Sequence, residues 1–166
     1  MATTKIQAAP QTAKRSFSAG SVISAIGRWI VRNRIYLIAF AIPAVLTYLA
    51  YALFGLYPFG EESVLCLDLN GQYVYYFEAL RDAFWGDGSI FYNWSRNLSG
   101  EFMGIIGYYL ASPFTLIVML LPEKFMLSSL LIMQLCKLGA AGATFNYFLQ
   151  KRRGVQPYPS LLFSTM

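Results

Sequence analysis

Twenty consecutive residues, Ile35 to Phe54 (IYLIAFAIPAVLTYLAYALF), carry no charge. An α-helix needs roughly 20 apolar residues to cross the hydrocarbon core of a bilayer, so this run constrains the fold more than any other feature. Pro43 lies inside it. A kink there is tolerated in a membrane bundle, where neighbouring groups take up the freed backbone. Hydrophobic residues make up 57% of the chain and charged residues only 13%, too little charge to cover a soluble domain of this length.

The net charge of +5 would suit a nucleic-acid partner, but its distribution excludes one. Lys5, Lys14, Arg15, Arg28, Arg32 and Arg34 precede the first apolar run, and no acid accompanies them. Every acidic residue falls between Glu61 and Glu123, and Lys151, Arg152 and Arg153 follow the last long apolar stretch. Basic ends beside apolar spans and an acidic segment between them are the positive-inside pattern. It predicts a multi-pass protein of the cell membrane, with a cytoplasmic N-terminus and residues 55–124 outside. A signal peptide is the competing reading, since Ala50-Tyr51-Ala52 resembles a cleavage site. The apolar run exceeds the usual ~7–15 residue core of a signal peptide, and a retained helix is expected. Cys66 and Cys136 fall in different compartments in this topology, which disfavours a disulfide, and no metal-ligand spacing occurs.

The expected fold is all-α and integral to the membrane, with full spans at 35–54 and 125–149. Residues 1–27 read as a loose cytoplasmic tail. Residues 28–54 combine an interfacial anchor (GRWIVRNR, 27–34) with the first span. Gly55 to Gly60 (GLYPFG) is turn chemistry. From Gln72 to Trp85 the positions Tyr73, Tyr76, Phe77, Leu80 and Phe84 recur at helical spacing, while Glu78, Arg81 and Asp82 take the other side. An amphipathic helix over 70–85, lying along the membrane surface, is the expectation. Residues 103–121 are apolar but interrupted by Gly104, Gly107 and Pro113. Were they and 125–149 both to cross, the basic cluster at 151–153 would finish outside; 103–121 is therefore read as re-entrant or interfacial. Gly139, Ala140, Ala143 and Thr144 offer the second span a small-residue face. A basic loop at 151–159 follows, and 160–166 reads as the truncated start of a third span. The chain is expected to be the N-terminal piece of a larger polytopic protein.

Few side chains are left for chemistry. There is no histidine, which removes a Ser-His-Asp triad, a Cys-His pair and the usual zinc sites. No Gly-rich phosphate loop is present. Asp68, in LCLDLNGQYVYYFEAL (65–80), follows the first span and precedes the aromatic helix. A carboxylate there acts as a general base, holds a divalent cation, or caps the 70–85 helix. On spacing alone the cap is the simpler reading. Arg96, in a polar loop, pairs with a lipid phosphate or snorkels to the interface. Lys137 sits mid-span with Gln134 one turn before it, and an ionisable residue at that depth binds an anion or pairs with another helix. Glu61 and Glu62 read as loop edge, Asp87 as a turn residue, and Tyr108-Tyr109 as interface anchors.

YPFG (57–60), Asp68 with Gln72 and Tyr73, YNWSRNLSG (92–100), YYLASPF (108–114) and LLP (120–122) occur in that order. Together they resemble the bacterial YfhO-type membrane protein family over roughly residues 55 to 150. Asn97 stands where that pattern has glycine. The resemblance implies a GT-C-like glycosyltransferase, a polytopic enzyme that takes a sugar from a polyprenyl-phosphate carrier on the outer membrane face. Its acceptor would be a cell-envelope polymer such as teichoic acid. It makes Asp68 the catalytic carboxylate, with Gln72, Tyr73, Arg96 and Lys137 as substrate-binding positions, and no certain cofactor, a divalent metal being the one candidate. Downstream helices would complete the cleft, so this chain alone is expected to be inactive. Two other classes fit the same features. One is a transporter or flippase element lined by Lys137 and the broken segment. The other is a short non-catalytic membrane protein that packs against partner helices through its small-residue face.

Overall fold

The computed structural model describes residues 19–94 and 100–166. They fall into two units divided between Arg34 and Ile35, and a single helix, α1 (Ala19–Leu53), runs through the division. In the first unit the helix already holds 19–27, expected to be loose tail, and its Asn33 amide donates back to Trp29 O at 2.8 Å. The calls on residues 1–18 and on Arg96 lie outside the described residues.

The second unit is built on two long helices, the later part of α1 and α5 (Met126–Arg153). The rest is short: α2 (Val74–Trp85), a ladder of β1 (Tyr92–Asn93) and β2 (Gly100–Glu101), α3 (Met103–Ile105), α4 (Thr115–Leu120) and α6 (Pro157–Thr165). The described residues are mostly helical, and two helices are long and apolar enough to cross a membrane. Among the described residues the helical expectation is corrected by a short ladder, which pairs Tyr92 with Glu101 and Asn93 with Gly100, and by a bridge between Leu56 and Glu62. Phe102 N–H extends the ladder with a bond to Phe91 O at 2.9 Å.

Pro43 decides how the long helices meet. Proline has no N–H, so the carbonyl four residues back, Ala39 O, loses its helical donor. That oxygen faces Gly142 of α5, where a Cβ would stand 2.4 Å from it and 3.1 Å from Pro43 Cγ. One turn earlier Gly139 faces the Phe40 ring, which a Cβ would meet at 2.8 Å. Small residues admit such close approach between apolar helices, where dispersion rather than water exclusion holds them. The contact thus lies at Gly139 and Gly142, both buried; of the expected face it includes Gly139, while Ala140 and Ala143 are half-buried beside it. Thr144 is exposed and returns its hydroxyl to Ala140 O at 2.7 Å. Tyr51 O–H donates to Gln134 Oε1 at 2.7 Å, and the Tyr57 and Ser128 hydroxyls lie 3.2 Å apart, fastening the end of α1 to α5.

The GLYPFG turn is structural. Gly55 has φ +62°, a conformation that L side chains avoid. Gly60 returns onto it so closely that a Cβ would meet Gly55 O at 2.2 Å.

A compact core joins α2, the 102–119 segment and the first half of α5: Phe77, Leu80, Phe102, Ile105, Val118 and Leu130 are all at most 6% exposed. The 103–121 segment is not one helix. α3 continues as a wider π turn over Ile106–Leu110, and Ala111 (φ −73°, ψ 53°) then closes an inverse γ-turn, Ser112 N–H to Leu110 O at 2.7 Å. Pro113 and the Ser112–Thr115 turn (3.0 Å) start α4. The far end of α4 is closed from outside. Arg81 Nη1 donates to Val118 O at 2.7 Å and to Leu121 O, and Trp85 Nε1–H donates to Met119 O at 3.0 Å. Arg81 therefore does not belong to a wet face with Glu78 and Asp82, as its spacing implied; it binds the orphan carbonyls of a helix end.

At the other end of α5, Gly154 (φ +65°) terminates the helix just past Lys151, Arg152 and Arg153, whose charges favour its negative end. α6 then folds back. Asn146, 0% exposed, donates to Ser160 Oγ at 3.2 Å and Ser164 Oγ at 3.1 Å and accepts from Gln150 Nε2.

Two substitutions test this packing. Gly142→Val must push α1 off α5, an overpacking cost of about 1–3 kcal/mol, whereas Gly107→Ala, with nothing within 4 Å of the added carbon, should leave thermal stability in detergent nearly unchanged. Arg81→Met should cost about 1.5–3 kcal/mol, the worth of hydrogen bonds from a charged donor, read as a lowered melting midpoint.

Candidate functional site

The approach to Asp68 is strained: Leu67, immediately before it, has φ +48°, uncommon for a residue with a side chain. Asp68 then opens a π turn, Leu69–Tyr73, which runs directly into α2. The wide turn exists because Val74 N–H reaches back five residues to Leu69 O. Asp68 holds the N-cap position but makes no side-chain capping bond, and it is exposed. The capping reading is thereby left without its hydrogen bond.

Aromatic rings gather beside it. Tyr73 meets Tyr109 edge-on at 5.3 Å and 87°, Tyr76 tilts against Tyr109 at 5.3 Å, and Tyr108 packs on Tyr109 at 4.6 Å. Such offset and edge contacts are the favoured geometries of aromatic pairs. Burial, then the neighbouring Tyr76, Tyr108 and Tyr73, and last the charge of Asp68 raise the Tyr109 hydroxyl above its ordinary value. Tyr109 is thus part of the Asp68 surroundings, not solely an interface anchor. Periodicity marked Tyr76 as apolar helix face but did not pair it with Tyr109, because the break at Ala111 sets the position of that ring.

Gln72 is exposed and Tyr73 half-buried. Lys137 is exposed on α5 and lines an open cleft of 200 Å³ with Val64, Leu69, Leu130, Met133 and Gln134. Leu69 is the residue after Asp68, so the structure brings the Lys137 cleft to the start of the π turn. Gln134 is held by Tyr51. A divalent metal is not matched by these donors: among the described residues no three His, Cys, Asp or Glu side chains come together, and one carboxylate is a poor set for a hard cation that takes about six oxygens. Cys66 and Cys136 are both free.

On the polar side of α2, Glu78 is raised above its ordinary value by partial burial, then by the charges of Glu123 and Asp82. Glu101 accepts from Gly104 N–H at the start of α3.

Two helices with the length and apolarity to cross a bilayer, joined by a helical segment that carries a free carboxylate beside an aromatic cluster, define a helical membrane protein. The chain matches the family described as bacterial membrane protein YfhO over residues 39–166, most of its length, and belongs to that family. No curated protein and no solved structure matches it.

A pH dependence follows from Glu78. Its folded form holds the proton more tightly than the unfolded chain, so its contribution is present below the ordinary glutamate value of 4.5 and is lost as pH rises through the higher folded value. Glu78→Gln should therefore raise the melting temperature at pH 7, and the gain should vanish at pH 4.

Proposed function

We propose that this chain carries the catalytic carboxylate of a membrane glycosyltransferase that moves a sugar from a polyprenyl-phosphate carrier to a hydroxyl of a cell-envelope acceptor on the outer face. The observation that carries the reading is Asp68: exposed, beside the aromatic rings of Tyr73, Tyr76 and Tyr109, and making no capping bond. Membership of the YfhO family supports it through the family's resemblance to GT-C enzymes, where a carboxylate of the first external loop does this work.

In this mechanism Asp68 takes the proton from the acceptor hydroxyl as its oxygen attacks the anomeric carbon. The bond from that carbon to the carrier phosphate breaks, its electron pair leaves with the phosphate, and the configuration inverts. A base held within hydrogen-bond reach contributes roughly 10²–10⁴-fold. Negative charge builds on the departing phosphate, and a fixed cation in a water-poor site stabilises it. Lys137 is the described cation whose cleft reaches the Asp68 turn, and the side chains of Val64, Leu69, Leu130 and Met133 in that cleft suit an isoprenoid chain. Gln72 and Tyr73 orient the sugar, and Arg96 is assigned to the carrier phosphate from its sequence position.

Membranes from cells expressing the gene, supplied with polyprenyl-phosphate-linked sugar, test the reading. Asp68→Asn should lower transfer to envelope polymer by about 10²–10⁴-fold at an unchanged protein level. Transfer at the wild-type rate in that variant would remove Asp68 from the chemistry.

A further inference from the structure

α5 supplies two polar side chains to the open cleft that reaches the Asp68 turn: Gln134 and, one turn later, Lys137. Residues three apart share a face of a helix. Both lie near the middle of a helix apolar enough to span, where an ionisable side chain is costly unless it meets a partner. Val64, Leu69, Leu130 and Met133 complete the wall.

What the pair can bind depends on which end of the Gln134 amide is left for the cleft. Tyr51 decides it. Tyr51 is 5% exposed, so its hydroxyl needs a partner inside the protein. It donates to Gln134 Oε1 at 2.7 Å. The amide oxygen is thereby engaged, and Gln134 keeps its NH2 group, with two donors, for the cleft. Were the amide turned over, the Tyr51 proton would face that NH2 group and lose its acceptor, and an unmatched buried donor is costly. Lys137 adds an ammonium with three donors and no acceptor.

The polar part of the cleft therefore offers donors and a positive charge. No Asp or Glu lines it. That holds for the whole chain, because residues 1–18 and 95–99 contain neither. The Lys137 charge is thus left for a ligand. An anion with several acceptor oxygens matches these donors, and four apolar side chains alongside match a hydrocarbon chain joined to it. A chain ending in a neutral hydroxyl would leave the ammonium uncompensated.

We propose that Gln134 binds the phosphate of the carrier beside Lys137, and that Tyr51 is the positioning residue that fixes the Gln134 amide with its donors toward that phosphate. The identity of the ligand rests on the glycosyl-transfer reading of Asp68. Leu69 is the wall residue adjoining Asp68, so the sugar end of the carrier extends from the phosphate past Leu69 toward the carboxylate.

The test is equilibrium binding of radiolabelled polyprenyl phosphate to the full chain in nanodiscs, with the matching polyprenol as the phosphate-free ligand. The ratio of the two affinities isolates the polar contact, since a loosened helix pair would weaken both ligands alike. Wild type should prefer the phosphate. Lys137→Met and Gln134→Glu should each lower that preference about tenfold or more, the worth of a hydrogen bond to a charged group. Tyr51→Phe should lower it about threefold, the order of a neutral hydrogen bond. Gln134→Glu keeps an acceptor for Tyr51, so the helices stay fastened while the donor gives way to a carboxylate beside Lys137. No preference in the wild type, or an unchanged preference in Gln134→Glu or Tyr51→Phe, would overturn the proposal. Displacement of the carrier by an equal concentration of inorganic phosphate would assign the site to a free anion and overturn it too. The labelled ligand bears no sugar, so nothing is transferred and the result is independent of the chemistry at Asp68. Unchanged transfer by Asp68→Asn sinks the catalytic reading alone.

Discussion

One guanidinium organises the folded part between the two long helices. α4 is only six residues long, and its last carbonyls have no helical partner. Arg81 and Trp85 reach across from α2 and bind them. A buried carbonyl left unmatched costs about 1–3 kcal/mol, so α2 and α4 hold each other in register. That register sets Tyr73 and Tyr76 of one segment on Tyr109 of the other, and it places the exposed carboxylate of Asp68 at the head of the same helical stretch.

The break in the 103–121 segment belongs to this arrangement. A continuous helix would have no turn at residues 111–113 to set the direction of α4 apart from that of the Tyr109 segment. Ser112-Pro113 interrupts the ladder, and the inverse γ-turn at Ala111 closes the gap with a backbone bond. Non-helical backbone is tolerated near a bilayer where protein covers it, and here Leu110 and Thr115 on either side are buried.

Much of this could be read from residue order. The uncharged run, the α2 periodicity and the Gly-Pro punctuation of 103–121 each mark an element, because each follows from local geometry and hydrophobic spacing. The reach of long side chains does not. Arg81 shares the helical spacing of Glu78 and Asp82, and only the position of α4 tells that it turns inward. The small-residue face of α5 was similarly ambiguous, since Gly139, Ala140, Gly142, Ala143 and Thr144 admit more than one stripe. The stripe chosen depends on where Pro43 frees a carbonyl on the other helix, a fact of pairing and not of either helix alone. At Asp68, spacing described an N-cap correctly as a position; the missing bond arises from the π turn that follows.

The fold-back of α6 has a bearing on assembly. Asn146 lies inside a helix apolar enough to span, and its partners Ser160 and Ser164 come 14 and 18 residues later. During synthesis α5 is complete before those hydroxyls exist, so for an interval its amide has only Gln150 and solvent. An uncompensated amide is expensive in hydrocarbon, and its cost falls once α6 emerges and closes the short hairpin. The energetics therefore favour α5 and α6 leaving the translocation machinery as a pair, with the polar contact made before lipid surrounds it.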